Sequence, residues 1–99
     1  MDGKWNCVSY DGVAQPSGYS STIEFMKSKR KEGTGTFTST YTVAGQTYTG
    51  SSAFSYVLDG DKLTVTSAGD VEILTITDHS KTKLSWTDKN GKTAVLEKI

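Results

Sequence analysis

Polar turn clusters interrupt this chain at short, regular intervals, and between them apolar and polar residues alternate with a period of two. That pattern constrains the fold most, because a period of two sends successive side chains to opposite faces of a pleated strand. The breaks are Asp11-Gly12 through Gln15-Pro16-Ser17-Gly18, Lys29-Arg30-Lys31-Glu32-Gly33, Ala44-Gly45, Asp59-Gly60-Asp61, Ala68-Gly69-Asp70, Asp78-His79-Ser80-Lys81 and Lys89-Asn90-Gly91. Glycine in such clusters supplies positive φ without steric cost, and Asn-Gly and Asp-Gly are strong hairpin signals. Seven breaks leave eight predicted strands, near 4–10, 19–27, 34–43, 46–58, 62–67, 71–77, 83–88 and 93–98. No window of twelve or more residues carries a capped helical stripe. A short helix or 3₁₀ turn fits only between Asp11 and Ser20.

The alternation assigns faces. Trp5 and Cys7 share one face of the first strand, as do Ile23 and Phe25 in the second, with Thr22, Glu24 and Met26 opposite. Phe37, Ser39, Tyr41 and Val43 alternate with Thr36, Thr38, Thr40 and Thr42. Tyr48, Phe54, Tyr56 and Leu58 share a parity, and so do Leu63 with Val65 and Leu84 with Trp86. One apolar and one wet face is the mark of antiparallel sheet. The sixth strand is ambiguous: Val71 and Ile73 suit one face, Leu74 and Ile76 the other, so a bulge near Ile73 is expected. An open meander would leave two unpaired edges. Pairing the eighth strand with the first removes both, which makes an all-β, antiparallel, up-and-down eight-stranded barrel the expected architecture, and a two-sheet sandwich the alternative. A chain of this length is one domain, residues 1–99.

Eleven basic and eleven acidic side chains cancel, which argues against a nucleic-acid partner, since such partners select for a basic surface. No apolar run is long enough for a transmembrane segment. Cys7 is the single cysteine, so an intrachain disulfide is excluded, and it is expected as a small buried side chain. The start, Met1-Asp2-Gly3-Lys4-Trp5, shows no signal peptide, as in a cytosolic protein or a trimmed mature domain.

Gly3-Lys4-Trp5 at the start of the first strand resembles the Gly-x-Trp motif of lipocalins, in which the tryptophan closes one end of the barrel. The second half is similar to the lipocalin-like domains of small secreted bacterial lipoproteins. The matching stretches are Asp59-Gly60-Asp61, Leu63-Thr64-Val65, Ile73-Leu74-Thr75, Lys83-Leu84-Ser85-Trp86 and Asn90-Gly91. The chain is shorter than a full lipocalin and lacks a C-terminal helix. Where those proteins cover the tryptophan with an arginine, Lys98 is the substitute. The resemblance implies a lipocalin-like barrel and an exported protein, periplasmic or lipid-anchored in the cell envelope through a segment preceding this chain.

The side chains point away from catalysis. One histidine, one cysteine and no clustered ligand spacing leave no triad, no metal site and no cofactor motif. Asp59, Asp61 and Asp70 read as turn residues, Glu24 and Glu72 as solvent-facing, and Lys27-Ser28-Lys29-Arg30-Lys31 as a solvated turn. The Thr-rich stretch from Thr34 to Ser55 and its surroundings carry the aromatics. Tyrosine suits a site that is apolar on one side and wet at the hydroxyl. The expected ligand-binding residues are Phe37, Tyr41, Tyr48, Tyr56 and Trp86, at the mouth of a barrel. The expected inward set is Trp5, Cys7, Ile23, Phe25, Phe37, Tyr41, Tyr48, Phe54, Tyr56, Leu58, Leu63, Val65, Leu74, Ile76, Leu84, Trp86 and Leu96. That set is large enough to fill a small barrel. Two functions therefore stand: a non-enzymatic, monomeric binder of a small apolar or amphipathic ligand, or a protein-interaction module with a filled barrel and a cell-surface protein partner.

Overall fold

The computed structural model describes residues 2–99. Its strands are β1 (Gly3–Tyr10), β2 (Val13–Ala14), β3 (Tyr19–Lys29), β4 (Glu32–Val43), β5 (Gln46–Asp59), β6 (Lys62–Ser67), β7 (Asp70–His79), β8 (Lys83–Thr87) and β9 (Thr93–Lys98). From β3 onward each strand pairs antiparallel with the next, β1 pairs with β3, and β9 returns to β1. The closing register sets Trp5 opposite Lys98 and Tyr10 opposite Ala94. This is the expected closed eight-stranded barrel, with β2 as a two-residue addition to β1. The predicted strand ends agree within two residues throughout. Local chemistry makes the hairpins: Ala44-Gly45 and Ala68-Gly69 have positive φ at both central residues, the geometry that follows strand twist.

One half of the barrel is solid. Trp5, Phe25, Tyr56, Leu63, Leu74, Leu84, Trp86, Ala94 and Leu96 are buried, and Cys7, Ile23, Phe54, Leu58, Val65 and Ile76 pack against them. Phe25 sits among three rings edge-on, with centroids 5.7 Å from Phe54, 5.3 Å from Tyr56 and 6.4 Å from Trp86. Two glycines make room for that cluster. Gly33 lies opposite Tyr56 and Gly35 opposite Phe54. A Cβ on Gly35 would lie 2.5 Å from the Glu24 carbonyl oxygen and run into the Phe54 ring. The missing side chains let the aromatic rings lie across the strand. Trp5, 2% exposed, closes this end. The Lys98 ammonium sits 5.1 Å from its ring centroid and donates to the Asp2 carbonyl.

Several expectations need correction. Segment 11–20 holds no helix; Asp11-Gly12 turns β1 back into β2. The bulge in β7 falls between Ile76 and Asp78, not near Ile73. The β6–β7 register is unbroken, with Leu63 opposite Leu74 and Val65 opposite Glu72. Val71 and Ile73 therefore face solvent, and Glu72 takes the inward parity but stays exposed, as expected, because it lies at the open end. Cys7 is only half-buried, and its thiol accepts from the Gln15 side chain at 3.3 Å. Closure also leaves an edge. The β5–β6 pairing ends at Ser55 opposite Thr66, so residues 46–54 have no paired strand on that side, and only the Ser67 hydroxyl reaches across, to the Ala53 carbonyl. The molecule is elongated, 43 × 26 × 25 Å, because the β4–β5 hairpin runs past the other strands.

Candidate functional site

The end of the barrel away from Trp5 is open because two neighbouring strand pairs part there. β1 leaves β3 after Asn6, which is opposite Thr22, and joins β9 alone. β5 outruns β6 beyond Ser55. A cavity lies beside each parting. Beside β5, a cavity of about 350 Å³ is walled by Phe25, Phe37, Phe54, Leu63, Leu74 and Trp86, with Ser52, Ser67, Asp70 and Glu72 on the side of the loops. Beside β1, a cavity of about 340 Å³ is lined by Cys7, Tyr10, Gln15, Tyr19 and Ser21. Ile23, Phe37 and Trp86 belong to both linings, so the two form adjoining chambers of one cup. Each volume falls in the range of small-molecule sites, and the walls are apolar with a few polar groups, as such sites require.

The five predicted site residues separate. Phe37 and Trp86 meet in the cup, where Phe37 is 37% exposed and Trp86 8%. Tyr41 and Tyr48 face each other across the β4–β5 hairpin, rings stacked at 5.2 Å and 22°. They are 46% exposed each and line neither cavity. Tyr56 is 5% exposed and belongs to the solid half, beside Phe25. Its hydroxyl is pushed up from the ordinary tyrosine value, chiefly by burial. Sequence reasoning missed the polar side of the cup. The sequence marks Asp70 as a turn residue and Glu72 as solvent-facing; both are exposed, and both also line the cavity. The signal for Glu72 was present, because setting Leu74 opposite Leu63 places Glu72 opposite Val65.

Polar contacts brace the mouth. The Tyr10 hydroxyl donates to the Asp88 carboxylate at 3.1 Å, and the same carboxylate accepts from the backbone of Asn90 at 2.9 Å and Lys92 at 3.0 Å. The Lys92 amide is the main cause that holds Asp88 below the usual carboxylate range, and the bond to Asp88 raises the Tyr10 phenol. His79 lies at the opposite end, beside Trp5 and Lys98, where burial lowers its imidazole. The serine hydroxyls of the cup have no hydrogen bond to a base: Ser67 donates to the Ala53 carbonyl at 3.1 Å.

A family model described as a lipocalin-like domain matches residues 1–86. The chain belongs to that lipocalin-like family. Its Gly3-Lys4-Trp5 motif does what the resemblance implied, since Trp5 plugs the solid end beneath Lys98. A similar solved structure is japanin from Rhipicephalus appendiculatus, bound to cholesterol, at 12% identity and a TM-score of 0.74. The match covers 98% of this lipocalin-like chain and 74% of japanin, and at that identity it speaks for the barrel alone. No curated protein matches the chain. No helix among the described residues is long and apolar enough to cross a membrane.

Proposed function

We propose that this lipocalin-like domain is a non-enzymatic carrier that takes a small apolar or amphipathic molecule into the cup beside β5. The observation that carries the reading is the 350 Å³ cavity, open to solvent and walled by aromatic and aliphatic side chains. Burying on the order of 200 Å² of apolar ligand surface there would gain roughly 5 kcal/mol before the cost of association. Phe37 and Trp86 touch both chambers and are the contact residues. Tyr41 and Tyr48 stand outside the cup, and Tyr56 supports it from the packed half. The bound cholesterol of japanin supports the reading as a precedent for this barrel. Family membership and the likeness to secreted lipoproteins support export to the cell envelope, which fractionation of the native host tests.

Neighbouring residues on β5 provide the test of binding. Ser52 lines the cavity, whereas Ser51 has the opposite parity and faces outward. Ser52→Trp should fill the cup and abolish binding of the fluorescent apolar probe N-phenyl-1-naphthylamine. Ser51→Trp should bind it as the parent does. Equal binding by both variants, or no binding by the parent, would overturn the proposal.

A further inference from the structure

Charge is distributed unevenly along the barrel axis. Nine of the eleven cations, from Lys4 through the Lys27–Lys31 run to Lys98, lie on the strands and turns of the Trp5 end, where seven of the eleven carboxylates offset most of them. Only Lys89 and Lys92 lie at the mouth, against Asp11, Asp70, Glu72 and Asp88. Asp88 is already engaged by Tyr10 and two backbone amides. Asp70 and Glu72 are not. They stand two residues apart on β7, both on the inward parity, and both line the apolar cavity. The ion pair formed among the described residues, Lys29–Glu32, is at the other end of the molecule. No lysine or arginine lines this cavity.

Resting on the binding reading above, we infer that the ligand of the β5 cup is a cationic amphiphile. It is an amine with an apolar body, its ammonium beside Asp70 and Glu72 and its body against Phe37, Phe54 and Trp86. The cavity dictates this order. Its deep wall is hydrocarbon and aromatic ring; its loop side offers two carboxylates and the hydroxyls of Ser52 and Ser67. An ammonium carries three donors and no acceptor, so it matches carboxylates and hydroxyl oxygens together. The ring faces add attraction for a cation as it enters. A carboxylate ligand would instead meet like charge at the same place.

Three probes of one chain length separate the possibilities: decylamine, decanol and decanoate, each titrated calorimetrically at neutral pH and low salt. Decylamine should bind roughly ten- to a hundredfold more tightly than decanol, as a charge-assisted hydrogen bond predicts, and decanoate most weakly. Asp70→Asn with Glu72→Gln should bring the amine-to-alcohol affinity ratio close to one. On the parent protein, added sodium chloride should weaken the amine and not the alcohol. Equal affinities for decylamine and decanol, or a ratio indifferent to salt, would overturn this inference and leave the carrier reading standing. Binding of none of the three would overturn both.

Discussion

Gly35→Ala places one methyl group where the structure has no room. Its Cβ would stand 2.5 Å from the Glu24 carbonyl oxygen and 2.8 Å from Cε1 of Phe54. Ordinary contact begins near 3.4 Å, so something must move by almost an ångström. Glu24 cannot move easily, because β3 is paired on both sides there, with Lys4 and with Thr36. Phe54 can turn only against Phe25 and Tyr56. Overpacking of this kind costs about 1–3 kcal/mol, and the rigid neighbours place it in the upper part of that range. Alanine returns about 0.4–1 kcal/mol by restricting the unfolded chain. The net loss is about 1–2.5 kcal/mol, a fall in Tm of roughly 4–20 °C for a domain of this size. Gly50, on the same hairpin, is the control, since a Cβ there meets nothing within 4 Å. Gly50→Ala should therefore raise Tm by a few degrees. Thermal and denaturant unfolding, followed by circular dichroism and by the fluorescence of Trp5 and Trp86, measure both. If Gly35→Ala is as stable as the parent, the idea that glycines seat the aromatic cluster is refuted.

Other changes probe other parts of the barrel. Trp5→Ala should cost about 3–5 kcal/mol, much of the stability of an ordinary domain, and show as a large drop in the urea midpoint. Leu74→Ala should cost about 2–5 kcal/mol, while Ile73→Thr, one residue away on the outward face, should stay within about 0.5 kcal/mol; reversed effects would show that the register of β7 is wrong. Asp88, with its depressed carboxyl, stabilises the fold above the usual aspartate pKa and loses that contribution as pH falls through the depressed value. The Tm gap between the parent and Asp88→Ala should thus be present at pH 7 and shrink in acid below about pH 4; a gap independent of pH would count against the Asp88 bracing.

The period-two pattern made nearly all of the barrel legible. Every residue of the expected inward set except Phe37, Tyr41 and Tyr48 joined the packed cluster, and Ala94 was the addition. Those three exceptions share a cause. They keep the inward parity, but they lie in the open half: Phe37 faces the unfilled cup, and Tyr41 and Tyr48 lie on the hairpin beyond it. Parity is a local property of one strand, whereas burial needs a neighbour across the interior. Tyr56 lies away from the cup for the complementary reason: Gly33 and Phe25 draw it into the solid half. The sixth strand was ambiguous because four aliphatics occupy both parities within Val71–Ile76, and only cross-strand pairing with Leu63 decides between them.

The opening itself follows from strand lengths. β5 has 14 residues and its hairpin partner β6 has 6, so a tight turn at Gly60 must leave the far part of β5 unmatched. β4 has 12 residues and can pair with the overhang on one side, but on the β6 side only the Ser67 hydroxyl reaches it, at the Ala53 carbonyl. The wall parts there, and the first residues of β7 after the Ala68-Gly69 turn, Asp70 and Glu72, come to lie at the gap. Had β6 been as long as β5, the same alternation would have continued the packed core to the mouth. A polar side chain at Glu72 would then have been buried without a partner, at a cost that selects against it. The mismatch thus explains at once why the cup exists, why it faces the side of the barrel and why carboxylates are tolerated in its lining.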